Sequence, residues 1–169
     1  MARAWEADFV AFYRGRGAAL RRTGYLLTGD WHAAEDLMQT TFVKLYLAWP
    51  RIKAEGADAY ARRVLVRAYL AERRLRRSSE VPLADPPDRA APATDPSGWV
   101  DMRRALASLP RRQRAVVVLR YWEDLSVTET AELLGITDGT VKSTAYRAIA
   151  TLRTLVGTDL DAGTLTERT

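Results

Sequence analysis

The chain has 169 residues, a formal net charge of +5 and 47% hydrophobic residues. That is enough for one or two small domains with real cores, excludes wholesale disorder, and favours a polyanionic partner. With no cysteine and one histidine, His32, it excludes a disulfide framework, a zinc finger and thiol chemistry, and no metal or other cofactor is expected.

In chain order, residues 4 to 27 read as a first helix, with Trp5, Phe9, Phe12, Arg16, Leu20 and Leu27 near one face. Gly15, Gly17 and Gly24 weaken its intrinsic propensity, so packing must hold it, and Arg14, Arg16, Arg21 and Arg22 give it a basic side. Thr28-Gly29-Asp30 is a turn in which Asp30 is a good N-cap. A second helix then runs to about Ala48, with Leu37, Thr41, Leu45 and Ala48 on one face and Glu35, Asp36, Gln39 and Lys44 around it. A connecting loop spans Pro50 to Ala57.

A third helix covers about Asp58 to Arg77, with an expected buried stripe of Tyr60, Val64, Ala68, Ala71 and Leu75. Between Arg62 and Arg77 seven arginines (62, 63, 67, 73, 74, 76, 77) stand against one acid, Glu72, and Tyr60 and Tyr69 interleave with them. A charge run is usually a solvated face. This one has a single sign and rings among the cations, which suits a nucleic-acid strand.

Residues 78 to 98 read as a linker, since five of the seven prolines fall between Pro82 and Pro96. It separates residues 1–77 from a second helical domain, 99–157, with a polar tail at 158–169. Trp99 to Leu109 is a short helix stopped by Pro110, which is placed to open the next at its first position. That next helix, Arg111 to Trp122, is expected to pack Val116, Val117, Leu119 and Trp122.

The stretch Ser126 to Leu152 reads as two helices joined by a tight turn. Ser126 and Glu129 form a capping box. Val127, Thr130, Ala131 and Leu134 make the first apolar face, and Gly135 supplies the turn's positive φ. Thr137 caps the next helix, whose inner stripe is Val141, Ala145, Ala148, Ile149 and Leu152. Lys142, Ser143, Tyr146 and Arg147 fall outside. A packed pair presenting the N-terminal end of its second helix is a helix-turn-helix, which reads the DNA major groove.

On these residues the chain resembles the sigma-70 family of RNA polymerase sigma factors, in its small extracytoplasmic-function (ECF) form. The run AAEDLMQTTFVKLY at 33–46 is similar to the family's polymerase-binding helix, and LPRRQRAVVVLRYWEDLSVTETAELLGITDGTVKS at 109–143 to its sigma-4 domain. The resemblance implies an all-α protein of two helical domains, sigma-2-like and sigma-4-like. It implies a non-catalytic role: binding core RNA polymerase, reading a duplex −35 element and a melted −10 element, and promoting melting. An anti-sigma protein is a further class of partner. Carried over residue by residue, Glu35, Asp36, Gln39 and Phe42 would meet polymerase. Arg63, Arg67, Tyr69, Arg73 and Arg74 would meet −10 DNA, with the loop from Pro50 to Ala57 forming the pocket for a flipped base. Thr137, Asp138, Thr140, Lys142, Ser143, Tyr146 and Arg147 would meet −35 DNA. The chain departs from the family at Arg67 or Ala68, where Asn is frequent, and at Thr144, where Arg is.

Other classes remain on the residues alone. An operator-binding regulator needs a dimer face or ligand pocket, and neither is evident. An interaction module that binds another protein's helices and never DNA also remains, since helical domains do this often. An enzyme is least supported: His32 has no adjacent nucleophile, Glu35 and Asp36 point to different sides of a helix, and there is no Gly-rich phosphate loop. No apolar run reaches the length of a membrane span, and residues 1–9 lack a signal peptide's apolar core, so no membrane insertion and a cytoplasmic location are expected.

Overall fold

The structure, a computed structural model, describes residues 5–52, 54–76 and 97–156, and the side chains of 54, 73–76, 97–101 and 156 are not among those described. The expected linker, apart from its last two residues, and the polar tail therefore lie outside it. Every regular element among the described residues is helical. The chain divides into two compact units, Met1–Ala93 and Thr94–Thr169.

In the first unit, α1 (Glu6–Thr28), α2 (Trp31–Ala48) and α3 (Ala57–Arg76) pack on one another. Their ends follow local chemistry. Glu6 and Asp8 place negative charge on the first turn of α1. Gly29 ends α1 in the left-handed region at φ 74°, and its N–H donates to the Tyr25 carbonyl. The Asp30 carboxylate then accepts from the Ala33 N–H at 2.8 Å and starts α2. The helices approach at two small residues, Gly24 and Ala34. Leu20, Leu27, Leu45 and Leu65 fill the centre. Two 3-10 turns, Trp49–Arg51 and Ala54–Gly56, shape the loop expected at 50–57. Trp49 is buried against Phe9 and Phe12 and anchors that loop.

The buried face of α3 differs from the expected stripe. Ala57, Ala61, Val64, Leu65, Val66 and Tyr69 are buried, while Ala71 is exposed and Tyr60 and Ala68 are half-buried. The reason is that α3 packs on both α1 and α2, so its buried sector is wider than one stripe and rotated away from Ala71.

In the second unit, α7 (Asp138–Val156) packs against α4 (Ser97–Ser108), α5 (Arg111–Val117) and α6 (Val127–Leu134). Val116, Ala131, Val141 and Ala145 form a buried cluster, with Val127, Leu134 and Ile136 at its edge. Ala131 thus provides the close crossing of α6 and α7. Pro110 caps α5 from outside instead of opening it, and its carbonyl accepts from the Arg114 N–H. The helix expected through Trp122 becomes a π turn at Val118–Trp122. One extra residue in that turn shifts the pattern. Val118 and Leu119 are buried, and Trp122 is 43% exposed instead of packed.

Candidate nucleic-acid interface

The helix-turn-helix is built as its sequence dictates. Ser126 Oγ accepts from the Glu129 N–H, and the Glu129 carboxylate accepts from the Ser126 N–H at 2.8 Å. Gly135 turns the chain at φ 65° and ψ 40°, and the Ile136 N–H donates to the Ala131 carbonyl. Thr137 Oγ1 accepts from the Thr140 N–H at 3.2 Å, capping α7.

All seven residues expected at −35 DNA are exposed and lie on or just before the first three turns of α7. Tyr146 stands furthest out, at 77% exposure. Ser143 and Arg147 are tied together, the guanidinium Nε donating to the Ser143 carbonyl at 3.3 Å. Lys142 makes no hydrogen bond or ion pair among the described residues. One contact was invisible in the sequence: the Thr128 hydroxyl, at the start of α6, donates to Asp138 Oδ2 at 2.9 Å.

A groove of about 430 Å³ runs beside this face, with Arg120, Tyr121, Lys142, Tyr146 and Arg153 on its walls. Arg120 donates to the Leu125 carbonyl and lies over the Tyr121 ring. Asp124, just before, holds φ 55°. The signal for that bend was there, since Asp tolerates the left-handed region better than most residues.

In the first unit the expected surfaces are only partly assembled. Glu35, Asp36 and Gln39 are exposed on α2. Glu35 pairs with Arg21 at 2.6 Å, and Arg21 also covers the Trp31 ring, which stacks on Tyr25. Phe42 must be withdrawn as a polymerase contact. It is 8% exposed and meets Phe9 and Tyr13 edge-on, so it has no surface to offer. Val43, Tyr46 and Leu47 are exposed on α2, and of these Val43 and Leu47 continue the face of Asp36 and Thr40 at helical spacing.

Tyr69 must likewise be withdrawn as a DNA contact, because it is 0% exposed in the core. Arg63 and Arg67 are exposed one turn apart and share that face with half-buried Tyr60. Neither arginine makes a hydrogen bond or ion pair among the described residues, whereas Arg62 pairs with Asp58 at 2.8 Å and Arg16 with the same carboxylate at 2.6 Å. The side chains of Arg73 and Arg74 lie outside the described residues.

Three-helix packing in one unit and a capped helix-turn-helix in the other define an all-helical protein of two units. Residues 12–79 match the family described as sigma-70 region 2, and residues 99–152 match sigma-70, region 4. The chain is 41% identical to the RNA polymerase sigma-E factor of Streptomyces coelicolor over 165 residues, covering 94% of this chain and 92% of that one. It is 32% identical to the ECF RNA polymerase sigma factor SigM of Mycobacterium tuberculosis, covering 88% and 77%. Its fold is shared with the sigma factor RpoE of Bartonella quintana, solved with the anti-sigma factor NepR, at TM-score 0.77, 24% identity and coverage of 90% and 98%. The chain belongs to the sigma-70 family, in its ECF form. It is an RNA polymerase sigma factor, a promoter-recognition subunit for transcription initiation. Among the described residues no helix is long and apolar enough to cross a membrane.

Proposed function

We propose that the two units divide promoter recognition. Residues 99–157 read duplex −35 DNA through α7, with Lys142 and Arg147 on phosphates and Tyr146 and Ser143 at base edges. Residues 1–77 bind core polymerase through α2 and take the melted −10 strand on α3, with the linker ending before α4 begins at Ser97. The observation that carries this reading is the N-terminal half of α7: seven exposed polar or aromatic residues on a helix whose opposite face is fully committed to the core.

For polymerase, Asp36 and Gln39 supply polar contacts and Val43 and Leu47 an apolar strip beside them. An exposed apolar strip rimmed by polar groups is the usual sign of a docking face. Glu35 contributes only after leaving Arg21. For −10 DNA, Arg63 and Arg67 meet phosphates and Tyr60 offers a ring, while the loop at 50–57 forms the pocket for an unstacked base. The protein acts by binding alone, in the cytoplasm, and an anti-sigma protein is a second partner competing with polymerase.

The test is run-off transcription with purified core polymerase on a genomic fragment library. The expected result is new transcripts sharing two spaced upstream elements, lost when Arg63 and Arg67 are both changed to Ala. Polymerase binding without new starts would refute the −10 assignment. Absence of polymerase binding would refute the α2 assignment.

A further inference from the structure

On the DNA-facing side of α7 one residue carries the wrong charge for a polyanion. Asp138 is the only acid in the helix, at its first position, and the outward residues after it are donors: Thr140, Lys142, Ser143, Tyr146 and Arg147. A carboxylate there is repelled by phosphates. Its placement at the helix N-terminus is favourable by itself and explains an acid, but not the second contact it makes. Thr128, from the neighbouring helix, donates its hydroxyl to Asp138 Oδ2 at 2.9 Å. That bond crosses the helix-turn-helix and fixes the carboxylate's rotation. Oδ1 makes no hydrogen bond among the described residues, and the side chain is exposed.

We infer that Asp138 is a base-reading acceptor that selects cytosine in the −35 element, with Thr128 as its positioning residue. This rests on the assignment of α7 to duplex DNA. The N-terminal residues of a recognition helix are those that reach base edges. In the major groove cytosine offers the N4 amino donor with no acceptor beside it on the same base. Adenine sets N7 next to its amine, guanine presents N7 and O6, and thymine presents O4. A fixed carboxylate oxygen is therefore matched by cytosine and repelled by guanine and thymine outright. Against adenine it gains one bond and meets one lone pair. The repulsion that Asp138 suffers from phosphates is tolerated because it is converted into discrimination: affinity is retained only where the amine stands opposite.

The experiment is selection by the holoenzyme, core polymerase with the full chain, from a promoter library randomised across the upstream element. Wild type is compared with Asp138→Ala, Thr128→Val and Thr128→Ser. Wild type is expected to enrich cytosine strongly at one position. Asp138→Ala, which removes both acceptor oxygens, lowers that preference by roughly tenfold and leaves the profile at other positions unchanged. Thr128→Val lowers it less, and Thr128→Ser keeps it. Helicity of each variant, read by circular dichroism, separates misfolding from misreading.

Superimposable profiles for wild type and Asp138→Ala would overturn the proposal. So would a uniform loss of binding with the profile unchanged, which is what a purely structural latch gives. Wild-type enrichment without cytosine would overturn the cytosine assignment alone. A wild-type holoenzyme that enriches no upstream sequence would overturn the duplex-reading assignment and this proposal with it.

Discussion

Gly135 gives the sharpest test of the helix-turn-helix, because no steric clash confuses the backbone effects there. Its φ is 65° and no heavy atom lies within 4 Å of where a Cβ would stand. A substitution therefore meets backbone strain and no clash. An L residue held in the left-handed region costs ~1–2 kcal/mol. Replacing Gly with Ala recovers ~0.4–1 kcal/mol by restricting the unfolded chain. The net expectation for Gly135→Ala is a loss of about 1 kcal/mol, and for Gly135→Asn less, since Asn tolerates that region. Gly135→Val, with a branched Cβ, should lose about 2 kcal/mol or more. The assay is native-state hydrogen exchange on the full chain, read at the amides of α6 and α7. A loss of ~1 kcal/mol raises their opening about fivefold. The first unit serves as internal control and should not change. If Ala, Asn and Val behave alike, the turn is not left-handed and the reasoning fails.

Four further outcomes are expected. Lys142→Ala should weaken holoenzyme binding to promoter DNA evenly across sequences and reduce the salt slope by about 1; an unchanged slope would exclude a phosphate contact. Asp36→Ala with Gln39→Ala should weaken binding to core polymerase while thermal unfolding stays put, and unaltered binding would place the polymerase face elsewhere. Tyr69→Ala should cost ~3–5 kcal/mol of stability in a denaturant titration, because the ring is fully buried; a variant that stays stable but fails only in DNA melting would restore Tyr69 as a contact. Thr130 is fully buried with a hydroxyl that has no partner among the described residues, so Thr130→Val should raise stability by about 1 kcal/mol. A loss on that change would reveal a bound water.

The fold was legible where its causes are local. Asp30, Ser126 with Glu129, Gly135 and Thr137 are caps and breakers acting within four residues, and each does what its chemistry predicts. What escaped was the consequence of packing. A single apolar stripe describes a helix lying on one neighbour, but α3 lies on two. The stripe through Ala71 was therefore wrong, and Tyr69 moved from the supposed DNA face into the core. The π turn escaped for a related reason. No residue type announces an extra residue in a helix, and the turn shows only once Val118 and Leu119 are seen buried while Trp122 is not. Phe42 escaped because a phenylalanine beside a polar helix face serves a partner or the core equally well.

The same distinction governs the charge. Counting arginines identifies a basic protein but not its DNA surface, because several of those cations belong to the fold. Arg16 and Arg62 share Asp58, Arg21 holds Glu35, Arg114 donates to the Ala107 and Leu109 carbonyls, and Arg120 to that of Leu125. These guanidiniums fix helix contacts and loop ends. The cations left without such duty among the described residues include Arg63 and Arg67 on α3 and Lys142 on α7. They fall on the two faces that the motifs assign to DNA. A cation paired with a carboxylate within the chain gains less from a phosphate than one held in water by its own helix, which can exchange solvent for DNA and release counterions. The remainder also holds the exposed Arg14, Arg22, Lys44, Arg51, Arg104, Arg112 and Arg153, so the DNA faces proposed above are only part of it. The acidic exception at Asp138 stands out against that remainder, not against the sequence as a whole.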